Sequence, residues 1–394
     1  MNRKQLILML VLVVVLGGLA LFRQSKQHAA WNADRPGVGH KLLPDFPVND
    51  IAGIHLRAGT NELDVVKSND LWRVTQRGGY PADFNKISEF LLKLKDLKVV
   101  QTETVAAGDL PELDLAPPGP ATNTATTLEF ADAAGKPLRT VWLGKMHRNS
   151  GGDMGGPGEQ GWPDGRYVLP GGSGDTVAVL ADSLETAVPE PESWLRKDFF
   201  KVESATSLAV TFPAATNSWE LTRTNPTAPW HLTATAPGEI LDPAKLSAFT
   251  SPFASPSLTD VAVGLPPAAT GLEHPTVIGL HTEDGFDYTV KVGSKTNSDY
   301  YATVAVSANL VKERTPAKDE KPDAKAKLDQ EFQEHLKTLE TKLTREKGYA
   351  GWVYLMPGWT VDPLLRNRAD LLATNAAPAA AAAETNAVPV KGEK

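Results

Sequence analysis

Residues that could carry out catalysis or bind a metal are scattered through this 394-residue chain. No two of its eight histidines have the i, i+4 spacing that places two zinc ligands on one helix face. The segment Gly172-Ser173-Gly174 is close to the nucleophile elbow of serine hydrolases, but Asp175 stands where that motif requires glycine. The chain has no cysteine, which excludes disulfides, thiolate metal sites and a cysteine nucleophile. We therefore predict no catalytic residue, no metal ligand and no cofactor, and expect a protein that is not an enzyme.

Charge and composition narrow the classes of function further. The 40 basic and 47 acidic residues give a net charge of −7, whereas dedicated nucleic-acid-binding domains are usually basic. We therefore expect no nucleic-acid partner. A hydrophobic fraction of 41% is enough to build buried cores, so we expect a folded chain. The 32 glycines and 30 prolines indicate many turns.

An apolar segment near the N-terminus indicates where the protein resides. The unbroken apolar run from Leu6 to Phe22 would span about 25 Å as a helix, at the short end for a membrane span. The small-residue pattern at Gly18-Leu19-Ala20 leaves a cleaved signal peptide as the alternative. We predict a retained single-pass transmembrane anchor over residues 1–26 and a linker over 27–47. Basic residues flank both sides of the run, so they specify its orientation in the membrane only weakly. A long segment after a first signal-like helix is normally translocated, and we therefore expect the bulk of the chain outside the cytoplasm.

The remainder of the chain contains an internal repeat. Four short patterns occur twice in the same order, at offsets of 158, 159, 149 and 172 by subtraction of residue numbers. These offsets are far longer than the period of a solenoid repeat, so the repeated units are whole domains. We predict two homologous tandem units over residues 48–203 and 204–373. The matched segments are Trp72-Arg73-Val74 with Trp230-His231-Leu232, Asp83–Phe90 with Asp242–Phe249, Val141–Gly144 with Val290–Gly293, and Arg196–Phe200 with Arg368–Leu372.

Each unit has the same predicted sequence of elements. Three strand-like segments precede a helical pattern, and four further strand-like segments follow it. Asp83 and Asp242 come directly before the helical patterns and are the predicted N-caps. The prediction is an α+β fold in which each unit is a mostly antiparallel sheet with one main helix.

Two sets of repeated residues have both a structural and a functional interpretation. Trp72 and Trp230 lie within equivalent strands, where each either fills the core or stacks on a sugar ring. An Arg-x-Asp pattern near the end of each unit either closes the unit with an ion pair or belongs to a ligand site. We favour the structural interpretation of both sets. The residues of the Arg-x-Asp pattern are Arg196, Asp198, Arg368 and Asp370.

A Gly-rich loop and a tail lie outside the repeat. The loop Gly151–Gly165 lacks the Gly-Lys-Ser/Thr ending of a phosphate-binding loop, and its acidic residues do not have calcium-loop spacing. We interpret it as a hairpin connection, with a weak cation or partner site as the alternative. The tail over residues 374–394 is rich in alanine and proline, and we expect it to be disordered.

A charged insertion over residues 308–348 interrupts the last strands of the second unit. Within it, five apolar residues recur at steps of four, four, three and four, which predicts an amphipathic helix with one apolar stripe. This stripe packs on its own unit in one interpretation and docks a partner helix in the other. The stripe residues are Leu328, Phe332, Leu336, Leu339 and Leu343.

Together, the N-terminal anchor, the strand tryptophan, the Asp-capped helix, the apolar-x-Gly strand and the Arg-x-Asp ending resemble the bacterial DUF4340 family of envelope proteins of unknown function. The resemblance covers approximately residues 45–372, although the Gly-rich loop and the charged insertion are longer than is typical of that family. Members are often encoded beside ABC-type transporters with gliding-motility-type auxiliary subunits. The resemblance therefore implies an accessory protein of the inner membrane, with its bulk in the periplasm and transporter membrane subunits as partners.

Two functions follow as hypotheses. The first is a non-enzymatic, membrane-anchored accessory or scaffold protein associated with an ABC-type transporter complex. The second is a module that binds envelope polysaccharide or peptidoglycan, with hydrolysis left open. The nine tryptophans and the Gly-rich loop motivate this alternative, and glycoside hydrolysis needs only a carboxylate pair without fixed sequence spacing.

Overall fold

The computed structural model describes residues 38–148, 163–235, 237, 239–249, 251–316 and 320–373. The chain divides into two compact units between Lys197 and Asp198. Each is an α+β unit built on an antiparallel sheet. The predicted anchor, linker residues 27–37, the tail and most of the Gly-rich loop lie outside the described residues. Within the ranges given above, no helix is both long and apolar enough to cross a membrane.

In the described residues, the first unit has a nine-stranded sheet. Its strands are β1 (Gly53–Ala58), β2 (Asn61–Ser68), β3 (Leu71–Val74), β4 (Tyr80–Pro81), β5 (Val99–Thr104), β6 (Thr126–Ala131), β7 (Pro137–Arg148), β8 (Pro163–Pro170) and β9 (Thr176–Leu180). Their order in the sheet is β4-β3-β2-β1-β6-β7-β8-β9-β5, and every one of these pairings is antiparallel.

The main helix of the first unit is α1 (Phe84–Asp96). It begins where the sequence predicts, because the Asp83 carboxylate accepts hydrogen bonds from the backbone N–H groups of Asn85 and Lys86. Its apolar face buries four side chains spaced three or four residues apart, which is the pattern of a helix packed on one side. The buried residues are Ile87, Phe90, Leu91 and Leu94.

In the described residues, the second unit has an eight-stranded sheet. Its strands are β10 (Ala205–Thr211), β11 (Trp219–Thr222), β12 (His231–Leu232), β13 (Asp260–Ala262), β14 (Thr276–Thr282), β15 (Phe286–Thr296), β16 (Asp299–Ala308) and β17 (Val353–Pro357), and its helices are α2 (Pro267–Thr270), α3 (Pro322–Lys347) and α4 (Gly358–Val361). The strand order is β12-β11-β10-β14-β15-β16-β17-β13. When β4 is set aside, this order matches that of the first sheet strand for strand.

The helix predicted after Asp242 differs from the expectation. Asp242 accepts a hydrogen bond from the backbone N–H of Ala244, but the segment that follows is a seven-residue 3₁₀ helix, Pro243–Phe249. Phe249 is its one fully buried apolar side chain among those described. Because tertiary packing supplies most helix stability, this segment has less support for a longer α-helix than α1 has. The main helix of the second unit is instead α3.

The core of the second unit begins directly after the division point. The Phe199 ring lies 4.7 Å from the ring of Tyr354 and 5.4 Å from that of Tyr349, while Phe200 contacts Phe253 at 5.4 Å between centroids. All five side chains are buried. The predicted boundary after residue 203 therefore lies inside the second unit, because it separates two core phenylalanines from the sheet they pack against.

Two glycines allow helical turns to pack closely on the sheets. A Cβ atom at Gly144 in β7 would lie 2.4 Å from the carbonyl oxygen of Leu113, and one at Gly293 in β15 would lie 2.1 Å from that of Thr270. Leu113 ends a 3₁₀ turn and Thr270 ends α2. The apolar-x-Gly pattern noticed in the sequence thus marks one kind of close backbone approach in both units.

Candidate functional site

The predicted apolar stripe lies on α3. This helix forms within the charged insertion, as the sequence predicts. Leu328, at the N-terminal end of the stripe, is 41% exposed, and the four later stripe residues are half-buried. A cavity of about 170 Å³ separates part of the stripe from the β14–β15 turn, and its lining includes Phe332, Leu336, Leu339 and Gly285. The middle of the stripe therefore lies over its own unit, while its first residue is more exposed.

Polar contacts fix the C-terminal half of α3. The Lys342 ammonium donates to a carboxylate oxygen of Glu203 at 2.9 Å, and the same nitrogen lies 5.0 Å from the centroid of the Phe286 ring. Glu346 is fully buried and accepts a hydrogen bond of 2.8 Å from the hydroxyl of Tyr288. Burial, followed by this hydrogen bond, raises the pKa of Tyr288, so the hydroxyl stays protonated and acts as the donor.

The N-terminal half of α3 has a different environment. Residues 322–328 are all exposed. Arg314, in the segment before the helix, donates to Glu320 at 2.7 Å and 2.8 Å and to Asp329 at 2.9 Å. These charge-assisted bonds connect the approach segment to the second turn of the helix. The N-terminal part of α3 is thus held at Asp329 by Arg314, while residues 322–328 are exposed.

The repeated tryptophans are core residues. Trp72 is 8% exposed and Trp230 is 7% exposed. The Trp230 indole N–H donates to the carbonyl of Phe249 at 3.1 Å, and the Arg223 guanidinium lies 4.1 Å from its ring centroid. A sugar-stacking platform requires an open aromatic face, which neither side chain offers in the folded unit.

The Arg-x-Asp residues do not form the same contacts in the two units. Arg368 pairs with Glu239 at 2.6 Å, while the Asp370 carboxylate accepts a hydrogen bond from the backbone N–H of Asn367. Asp198 is exposed and Arg196 is half-buried. Arg368 therefore forms an ion pair near the end of the second unit, and its partner belongs to another segment.

Backbone hydrogen bonds pair the ends of the two units differently from the sequence match. The N–H of Asp83 donates to the carbonyl of Trp194 at 2.9 Å, and the N–H of Asp242 donates to that of Leu371 at 3.0 Å. Trp194 and Leu371 differ by 177 in residue number, whereas the sequence match used 172. The equivalent feature is a backbone contact that closes each unit on its capping aspartate.

A polar cavity of about 1080 Å³ in the first unit was not predicted. It lies where β7 and β8 meet the loop over residues 114–125. The loop is anchored at both ends by side chains that are essentially fully buried, Leu115 and Ala125. Charged and polar side chains make up much of the lining, among them Asp114, Thr122, Asn123, Thr124, Lys145, His147, Arg148, Arg166 and Tyr167.

Arg166 in β8 is the buried cation of this cavity, at 8% exposure. Its Nε donates to the carbonyl of Gly144 at 2.9 Å and its Nη1 to that of Leu184 at 3.2 Å. Burial lowers the pKa of the guanidinium, and the nearby Asp114 carboxylate opposes that shift. Because arginine has so high a pKa, the side chain remains charged at neutral pH.

Neighbouring side chains complete the polar wall. The Lys145 ammonium donates to the carbonyl of Glu112 at 2.6 Å. His147 and Asp164 pair through Nδ1 and Oδ1 at 2.6 Å. Burial, with the nearby Glu103 and Asp164 carboxylates, raises the pKa of Tyr167, so its hydroxyl is neutral. Groups of three or more histidine and acidic side chains suited to a metal ion do not occur in the part of the chain that the structure describes.

Comparison with known proteins places the chain in a family. The DUF4340 profile, described as a domain of unknown function, matches residues 72–275, which is 204 of the 394 residues. The chain belongs to the DUF4340 family. The matched region runs from β3 to the residue before β14, so it extends across the division between the two units. Neither the curated proteins nor the solved structures gave a match.

Proposed function

We propose that this DUF4340 protein is a non-enzymatic accessory or scaffold protein, held in the inner membrane by residues 1–26, with both units in the periplasm. Its partners are membrane subunits of an ABC-type transporter. The apolar run from Leu6 to Phe22 supports the anchor. The genomic association that the family resemblance implies supports the transporter.

A second part of this proposal is that the two units arose by duplication. The strand orders correspond strand for strand apart from β4. Gly144 and Gly293 allow the same close approach of a helical turn, and Asp83 and Asp242 accept local backbone hydrogen bonds at the start of their helical segments. A duplicated sheet unit provides two frameworks on which different insertions can be placed, which suits a scaffold.

The observation that carries the accessory role is the exposed start of α3 over residues 322–328. A helix of 26 residues is about 39 Å long. Lys342 and Glu346 anchor its C-terminal half to its own unit, whereas Arg314 holds the N-terminal part at Asp329. Leu328 continues the apolar stripe into the exposed part. An apolar residue on an exposed helix, within a row of half-buried ones, suits docking against an amphipathic partner helix.

The test is photo-crosslinking in native membranes. A photoreactive amino acid at position 328 is expected to capture transporter membrane subunits. The same group at Ala326 is the matched control, since this residue is also exposed on α3 and points about 160° away from Leu328 around the helix. Capture of no transporter subunit from position 328, or equal capture from both positions, would contradict the proposal.

Substitution separates docking from folding. Leu328→Asp should abolish co-purification of the partner and change the Tm of the second unit by less than about 2 °C, because surface substitutions rarely exceed about 0.5 kcal/mol. Leu336→Asp should also lower the Tm, since Leu336 is half-buried over the β14–β15 turn. Thermal denaturation and pull-down measure the two effects. A Leu328→Asp variant that keeps its partner would count against docking through the stripe.

A further inference from the structure

We propose that the polar cavity of the first unit binds an acidic saccharide, meaning a sugar that carries a carboxylate or a phosphate group. This site is independent of the accessory role proposed above and of the docking stripe on α3, which belongs to the other unit. It is formed by the loop over residues 114–125, the end of β7 and the start of β8.

The charge of the lining favours an anion. Lys145, Arg148 and Arg166 are cationic, Asp114 is an acidic residue of the lining, and the adjacent Asp164 carboxylate is paired with His147. The chain as a whole has a net charge of −7, so this local excess of positive charge runs against the overall balance. A cationic lining in an acidic protein attracts an anion to one place rather than to the whole surface.

Arg166 is already held in the geometry that anion binding needs. Three carbonyl oxygens, those of Gly144, Ser183 and Leu184, hold its Nε and Nη1. The structure gives its Nη2 no hydrogen bond to any described residue. A guanidinium fixed on one side by carbonyls presents its remaining donors in a set direction, and such a fork is well suited to carboxylate and phosphate oxygens. Fixing it beforehand also reduces the entropy lost on binding.

The rest of the lining suits sugar hydroxyls. Thr122, Asn123 and Thr124 follow one another along the loop. The side chains of Thr122 and Asn123 can both donate and accept hydrogen bonds, and the Thr124 hydroxyl, which donates to loop carbonyls, can accept one. Tyr167 adds a neutral hydroxyl, which can exchange hydrogen bonds with a sugar hydroxyl, while its half-buried ring already contacts Lys145 and His147. The cavity volume of about 1080 Å³ is at the upper end of the usual range for small-molecule sites, so it has room for a short oligosaccharide.

The second unit has a shorter loop at the position that corresponds to the cavity loop of the first. Between Thr270 and β14 the second unit has five residues, 271–275, whereas between Leu113 and β6 the first has twelve, 114–125. Both units have an irregular register at the same place in the next hairpin. Directly after it, Met146 faces Arg166 in the first unit and Lys295 faces Tyr300 in the second. The long loop over residues 114–125 and Arg166 therefore both occur in the first unit, and the corresponding positions of the second unit have neither.

The test is calorimetric titration of the full-length protein in nanodiscs. The ligands are trigalacturonate, glucose 6-phosphate, inorganic phosphate and the neutral sugar maltotriose. We expect at least one acidic sugar to bind ten times more tightly than maltotriose, and which of the two binds identifies the carboxylate or the phosphate as the recognised group. Inorganic phosphate should bind at least tenfold more weakly than the preferred sugar. Absence of binding, or equal affinity for neutral and acidic sugars, would overturn the proposal, and equal affinity for inorganic phosphate would overturn its saccharide part.

Three variants connect binding to the cavity. Arg166→Lys keeps the charge but loses the fork, and should weaken binding at least tenfold. Lys145→Gln alters an exposed side chain with little risk to folding, and should weaken binding about threefold. Lys136→Gln, in the exposed β6–β7 turn and outside the lining, is the matched control and should leave affinity unchanged. Unchanged affinity in both Arg166→Lys and Lys145→Gln would show that any binding occurs elsewhere.

Discussion

Gly144 and Gly293 illustrate how a single absent side chain determines where a whole segment can lie. At each position, a Cβ would come within 2.4 Å of a backbone carbonyl oxygen. A backbone atom cannot move aside as a flexible side-chain end can, so the helical turn itself would have to shift. The turn before residue 114 leads directly into the loop of the polar cavity, so Gly144 also helps to set the position of that loop.

Replacing these glycines should therefore destabilise the units. Gly144→Ala and Gly293→Ala are each expected to lower the free energy of unfolding by about 1–3 kcal/mol, the usual cost of overpacking. Gly279→Ala is the matched control, because Gly279 lies in β14 and a Cβ there would meet nothing within 4 Å. Urea denaturation followed by circular dichroism measures all three. An equal loss in Gly279→Ala would refute the close-approach explanation.

Single residues also show what the sequence could reveal. Gly144 was recognisable because its pattern recurs at Gly293, although the sequence did not show what approaches it. Arg166 was not recognisable, because no motif surrounds it and arginine in a strand is usually exposed. Its burial depends on the carbonyl of Leu184, a residue 18 positions later. Contacts between distant segments of this kind leave no local spacing to detect.

Among the elements, α3 has an attachment that depends on charge. Lys342, in its C-terminal half, contacts the Glu203 carboxylate, which Lys201 also contacts. Hydrogen bonds from Lys342 and Lys201 lower the pKa of Glu203 to about 2. The folded state thus favours the ionised carboxylate more strongly than the unfolded chain does.

This shift predicts how stability responds to acid. Because the folded-state pKa is below the ordinary value of 4.5, the contribution of Glu203 is fully present above about pH 4.5. It is lost as the pH falls from there to about 2. Glu203 is half-exposed, so solvent screening limits the contribution to about 0.5–1 kcal/mol. Glu203→Gln should lower stability by that amount at pH 7 and by progressively less as the pH falls below about 4.5 toward the folded-state pKa.

Chemical denaturation of both proteins at several pH values measures the difference. Lys342→Met, which removes the first partner, should reproduce most of the loss at pH 7. A stability difference between wild type and Glu203→Gln that stays constant from pH 7 to pH 2 would show that the carboxylate charge is not its source.

The predicted elements succeeded where packing on one face gives a periodic pattern. The helix of the charged insertion was predicted from five stripe residues, and the structure has it as α3 over Pro322–Lys347. The helix after Asp242 was predicted from its capping residue and its likeness to the first unit. It became a 3₁₀ helix, because a good cap cannot compensate for a small buried face.

For the whole molecule, the division between Lys197 and Asp198 defines which residues each unit needs. Phe199 and Phe200 pack into the aromatic core of the second unit. The sequence placed the boundary after residue 203, because repeat matching locates similar patterns and cannot tell which sheet a connecting segment packs against.

Fragments test this assignment. A fragment over residues 198–373 should unfold cooperatively, whereas one over 204–373 should lose several kcal/mol or fail to fold, since each buried phenylalanine contributes about 3–5 kcal/mol. The stability of fragment 38–197 should not depend on whether the second fragment starts at residue 198 or 204. Thermal melts followed by near-ultraviolet circular dichroism measure the outcome. If the fragment over 204–373 matched the longer one in Tm, the two phenylalanines would not belong to that core.

The shortness of the outermost strands has a consequence for how copies of the protein meet one another. Strands β4 and β12 have two residues each, and β13 has three. Such ends offer few unpaired peptide groups to a neighbouring chain, and proline within β4 removes one donor more. The remaining end, β5, has six residues, and at its start Val99 already exchanges backbone hydrogen bonds with Gly39 and His40. Crowded copies therefore have little opportunity to join into a continuous intermolecular sheet, and any tendency to polymerise should be concentrated at β5.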